Sequence, residues 1–96
     1  MMKNEEQYKG LLPLGSVVLL KGAYKKLVVY GRKQVHIDTN KVYDYLGVMF
    51  PEGYIDPDYC FLFNHEDIEV VKYVGYLNDE EKDFQILLDY VSSAEE

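Results

Sequence analysis

Along most of this chain, apolar residues come in short β-branched, leucine and aromatic runs divided by turn signals, and only near the C-terminus does their spacing lengthen to that of a helix. Residues 16–21 form the first run, Gly22-Ala23-Tyr24-Lys25 reads as a turn, and residues 26–36 form the second run through Leu27-Val28-Val29-Tyr30. Together they predict a hairpin. Gly31, inside the second run, marks a bulge or bend of the kind that lets a small sheet curl. Asp38-Thr39-Asn40 is the next turn, and residues 42–50 form a third strand in which Gly47 reads as another bend. Phe50-Pro51-Glu52-Gly53, with Pro second and Gly fourth, matches a type I turn, and Ile55-Asp56-Pro57-Asp58 adds a polar corner. Residues 59–63 are the fourth strand. Asn64, followed three positions later by Asp67, caps one helical turn, and residues 70–77 resume an extended pattern as the fifth strand.

The ending differs in kind. Asn78 with Glu81 makes a start resembling a capping box, and Phe84, Leu87, Leu88 and Val91 fall at i, i+3, i+4 and i+7. This predicts an amphipathic helix over about residues 79–91, widened by Ile86 and Tyr90 and favoured by Asp79, Glu80 and Glu81 in its first turn. Its apolar stripe must be covered, in cis or in trans. Residues 1–10 are polar without periodicity and read as a flexible lead-in, residues 92–96 read as a frayed acidic tail, and residues 11–91 read as one small domain. The fold class is mainly β with one C-terminal helix: a small bent antiparallel five-stranded sheet or an SH3-like barrel, capped by the helix.

Composition narrows this picture. A chain of 96 residues, 48% apolar, supports a single core but no second lobe with a deep cleft between them. Ten Tyr against four Phe and no Trp predict rings on half-buried sheet faces, packed on one side and wet at the hydroxyl. Cys60 has no intrachain disulfide partner, and no charged n-region followed by an apolar h-region opens the chain, so the reading is a protein of the reducing cytoplasm. No apolar run approaches the ~20 residues of a membrane-spanning helix, so membrane insertion is not expected.

The net charge of −7 is unevenly placed. Residues 1–20 are neutral. Residues 21–41 hold Lys21, Lys25, Lys26, Arg32, Lys33 and Lys41 against Asp38 alone, a local +5. Residues 42–76 carry seven acidic groups against Lys72, and residues 77–96 carry seven against Lys82, so each stretch is −6. The basic stripe of Lys21, Lys25, Lys26, Arg32 and Lys33 would meet an acidic surface, of which the chain's own helix is the nearest.

No phosphate-binding glycine loop, cysteine pair or His-Glu-x-x-His pattern is present, and the histidines are His36 and His65 alone. Cys60 lies between Tyr59 and Phe61 on an apolar strand, the setting of a small core thiol rather than a nucleophile. His65, Glu66 and Asp67 with Asp56 and Asp58 match no known cation loop and read as caps and solvated acids. So small a chain has little room to exclude water between paired carboxylates. No catalytic residue, metal or cofactor is therefore expected, and the chain reads as a non-enzyme. The basic stripe, interleaved with Tyr24 and Tyr30, is a secondary candidate surface for nucleic acid, placed behind protein contact because lysines also guard sheet edges. The partner-binding candidates are Phe50-Pro51-Glu52-Gly53-Tyr54 and Asn64-His65-Glu66-Asp67. For the first, two readings stand: a well-formed turn with Tyr54 beneath it, or a docking corner with exposed rings beside acids.

The runs Leu12-Pro13-Leu14-Gly15-Ser16-Val17-Val18-Leu19-Leu20-Lys21-Gly22 and Leu27-Val28-Val29-Tyr30-Gly31-Arg32 resemble a small Gram-positive bacterial family, domain of unknown function 4176. The likeness continues through Tyr43-Asp44-Tyr45-Leu46-Gly47-Val48, the two candidate segments and Gly75-Tyr76, covering about residues 11–91. The resemblance implies no activity and no catalytic residues. It implies genes near type VII secretion systems and LXG-type toxins, and hence an accessory, adaptor or chaperone-like role toward a protein partner, an LXG toxin or its helical helper. Two other classes stand beside that leading expectation: a small-molecule or nucleic-acid-binding barrel, and an immunity-type toxin inhibitor. Nothing in the pattern specifies an oligomeric state.

Overall fold

The computed structural model of the protein describes residues 10–95, with side chains through residue 90. The lead-in expected over residues 1–10 therefore lies outside the described residues except for Gly10, as do the side chains of Val91 and of the acidic tail. Five strands form: β1 Val17–Leu20, β2 Leu27–His36, β3 Lys41–Met49, β4 Cys60–Phe63 and β5 Ile68–Tyr73. Helix α1, Asp79–Glu95, follows, beginning where its cap predicts and running past residue 91. The Asn78 side chain accepts the Glu81 N–H at 3.0 Å, the capping contact legible in the sequence. β5 begins and ends earlier than the expected 70–77. The turn preceding it closes at Asp67, and beyond Tyr73 the chain leaves the sheet, where the Gly75 N–H donates to Ser16 Oγ at 2.9 Å.

The strands make one antiparallel sheet in the order β4-β3-β2-β1-β5. In a flat sheet its outer strands would lie four spacings apart, about 19 Å. Here they are consecutive in sequence and joined by the 3-10 turn His65–Asp67, a link that advances only about 2 Å per residue. The sheet must therefore curl until its edges approach. It curls as the bent open sheet of the two architectures expected, because among the described residues no ladder joins β4 to β5.

Register explains which side chains enter the core. The β2–β3 ladder shifts by one residue between Val29 and Gly31, a bulge that leaves Tyr30 out of pairing. Strict alternation from the buried Val29 would send Arg32 outward; the extra residue reverses the phase and places Arg32 opposite the fully buried Tyr45. Gly47 was expected at a bend but instead sits in paired strand, where an added Cβ would press within 2.8 Å of the Phe63 ring. Val18, Leu27, Val29, Phe63, Ile68 and Val71 surround Tyr45, and Leu12 closes the core from the segment before β1.

α1 lies against β2 and the Leu11-Leu12 segment. Only Leu88 of its expected apolar stripe is buried among the described side chains; Phe84 and Leu87 remain exposed, as do Ile86 and Tyr90. Polar contacts hold the helix instead, and these bear on the site.

Candidate functional site

The first candidate segment forms the corner leaving β3. It closes through the Gly53 N–H donating to the Met49 carbonyl at 2.7 Å, one residue longer than the type I turn expected, and the Phe50-Pro51 peptide is cis. The Phe50 N–H donates to the Lys26 carbonyl at 2.9 Å, and β3 ends at Met49, whose carbonyl accepts the bond that closes the turn. Tyr54 is not packed beneath the corner. It stacks on Tyr30, expelled by the β2 bulge, with centroids 5.7 Å apart and planes at 17°, and both rings are half exposed. Lys26 Nζ lies 5.8 Å from the centroid of the Phe50 ring, and Lys25 pairs with Glu52 at 2.8 Å, its hydrogen bond holding the exposed Glu52 carboxyl below its usual range. The corner and part of the basic hairpin, separate in sequence, are thus one surface. Beside them a groove of about 560 Å³ runs over Val17 and Val28 between Phe50 and Tyr73, rimmed by Lys26 and Lys72.

The second candidate segment is drawn inward. Asn64 Oδ1 accepts the Asp44 N–H at 3.0 Å, Asp67 accepts the Asn64 N–H at 2.9 Å, and Asp44 accepts the His65 N–H at 2.9 Å while pairing with Lys33 at 3.1 Å. His65 Nδ1 is 2.6 Å from the Tyr45 hydroxyl, which also accepts the buried Leu12 N–H at 2.9 Å. Asn64, His65 and Asp67 therefore clasp the 3-10 turn to β3 and the core, and Glu66 is an exposed acid beside them. Tyr45→Phe would leave the Leu12 N–H without that acceptor and should cost about 1–3 kcal/mol. Urea denaturation measures it, and a midpoint equal to wild type would refute the assignment.

A third constellation joins α1 to the sheet. Both terminal nitrogens of the buried Arg32 guanidinium donate to the Glu81 carboxylate, Nη2 to Oε1 at 2.9 Å, and Nη1 also donates to the Leu12 carbonyl at 3.3 Å. Gln85 Nε2 donates to the Leu11 carbonyl at 2.8 Å and to Glu81 at 3.0 Å, and the Phe84 ring lies 5.4 Å from the guanidinium. The hydrogen bonds from Arg32 hold the Glu81 carboxyl below its usual range.

Apart from Gln85, the residues of these three constellations fall within 11–84, and that span matches the family described as domain of unknown function DUF4176. The chain belongs to the DUF4176 family. No curated protein and no solved structure matches it. The DUF4176 match ends at residue 84, inside α1, so Ile86, Leu87 and Tyr90 lie beyond it.

Within this DUF4176 domain the basic stripe does not form a continuous patch. Arg32, expected on the surface, is 8% exposed because the bulge turned it inward. Lys25 and Lys33 pair with Glu52 and Asp44, Lys26 covers Phe50, and Lys21 is exposed at the end of β1. Asp56 accepts the Asp58 N–H and caps the short turn Pro57–Tyr59. Among the described residues no three His, Cys, Asp or Glu side chains gather as metal ligands, and no helix is long and apolar enough to cross a membrane. Sequence reasoning missed Val17, Val28, Lys72 and Tyr73 as neighbours of the corner. The alternation of β1 and β2 puts Val17 and Val28 on one face, but only their pairing, Val17 to both Val28 and Tyr73, assembles the groove.

Proposed function

We propose that this DUF4176 chain is a non-enzymatic protein-interaction module that receives its partner on the face around Tyr30, Phe50 and Tyr54. The carrying observation is the half-exposed Tyr30–Tyr54 stack beside Phe50, with the Lys25–Glu52 pair at its rim. Rigid aromatic anchors within a charged rim are the anatomy of a protein-binding hot spot. The ion pair that engages Lys25 on this face, and the engagement of Arg32 and Lys33 by their own carboxylate partners elsewhere, favour protein over nucleic acid. The biological role that accompanies this reading, from the family likeness alone, is an accessory, adaptor or chaperone-like factor in the cytoplasm for type VII secretion substrates, with an LXG-type toxin or its helical helper as partner.

The test is capture of such a toxin by tagged chain. Phe50→Ala with Tyr54→Ala should weaken capture about 30-fold, the effect of losing hot-spot contacts worth about 2 kcal/mol, while circular dichroism stays that of wild type. Undiminished capture by the folded double variant would remove this face from the proposal.

A further inference from the structure

We infer that this chain forms a two-fold dimer in which α1 of each copy lies in the groove of the other. Asp79, Asp83, Ile86, Leu87 and Tyr90 are separated by four, seven, eight and eleven positions from the first, which puts them on one helix face. All are exposed, with Ile86 at 67%, Leu87 at 59% and Tyr90 at 76%. The opposite face carries Glu81, Gln85 and Leu88, pinned by Arg32, the Leu11 carbonyl and the core side. The outward stripe therefore cannot turn onto its own sheet while those contacts hold, and among the described residues nothing else covers it.

The groove has the complementary chemistry. Its floor of Val17 and Val28 and its walls of Phe50 and Tyr73 suit Ile86, Leu87 and Tyr90, while Lys26 and Lys72 supply positive charge for Asp79 and Asp83. From Asp79 to Ile86 the helix advances about 10 Å, so the acids and the apolar trio reach separate parts of one groove. This charge complementarity selects a second copy as the occupant. A two-fold axis makes the exchange reciprocal, closing the assembly with two identical contacts rather than an open chain.

The inference needs no other protein, so sedimentation velocity on the purified full chain tests it apart from toxin capture. A dimer should appear as concentration rises and dissociate at about 1 M salt, where the screening length falls to about 3 Å. Lys26→Glu with Lys72→Glu should give a folded monomer by circular dichroism, and so should Asp79→Lys with Asp83→Lys. Mixing the two variants should restore a dimer, because each groove then faces a helix of opposite charge in both contacts. A wild-type chain that stays monomeric throughout, dimers that persist in both variants, or a mixture that stays monomeric would each overturn the proposal.

Discussion

Replacing Arg32 by Ala is expected to release α1 from the sheet and lower the unfolding free energy by about 3 kcal/mol, the cost of leaving the other half of a buried ion pair uncompensated. The guanidinium side chain is 4% exposed and serves the Glu81 carboxylate and the Leu12 carbonyl at once, so its loss strands two acceptors. Urea denaturation followed by far-ultraviolet circular dichroism reads the change, and proteolysis within α1 reads the release. Arg32→Met combined with Glu81→Leu should recover most of the loss, since an apolar pair leaves no buried charge. The same contact makes a pH prediction whose sign follows from Glu81. Its folded carboxyl titrates below the unfolded value of 4.5, so the contribution is complete above that value and is lost as pH falls through the lowered folded one. Acidification from about pH 7 to about pH 3 should therefore cost wild type more stability than it costs Arg32→Ala. Equal losses in the two proteins would show that the ion pair does not couple to folding.

Gly75→Ala is expected to be comparably severe. A Cβ there would run into the Leu14 carbonyl oxygen and lie 3.0 Å from the Ser16 nitrogen, and both are backbone atoms that no rotamer change can move. Separating the two segments would also stretch the Gly75 N–H bond to the fully buried Ser16 Oγ, which itself donates to the Pro13 carbonyl at 2.8 Å. Overpacking of this kind costs about 3 kcal/mol, a fall in melting temperature of roughly 15 °C for a domain of this size. Ser16→Ala removes the hydroxyl without the clash and should cost about 1–2 kcal/mol. A melting temperature for Gly75→Ala within a few degrees of wild type would mean that the Leu14 and Gly75 segments separate at little cost.

The elements that sequence reasoning placed well are those whose causes are local. β2 and β3 fall in their expected windows because alternation and the Asp38-Thr39-Asn40 turn act over neighbouring residues, and α1 starts at Asp79 because Asn78 and Glu81 meet within one helical turn. The bulge beside Gly31 was legible too. Its consequence was not: a single unpaired residue reverses the inward and outward sense of everything after it, so Arg32 left the surface patch and Tyr30 entered the site. The Asn64 to Asp67 segment likewise carries a readable cap, but its attachments to Asp44 and Tyr45 lie some twenty positions away and leave no mark in local pattern.

By itself, then, the sequence determined a mainly β chain with a capped terminal helix and an aromatic corner after the third strand, because propensity, alternation and turn residues act over a few positions. Only the tertiary structure decided that this corner, Tyr30 and the lysine-rimmed groove share one face, that Asn64, His65 and Asp67 serve the fold, and that α1 is held by Arg32 rather than by its apolar stripe. Those outcomes depend on strand order, curl and register, which bring together residues as distant as Arg32 and Glu81, and no window short enough to read by pattern contains both partners.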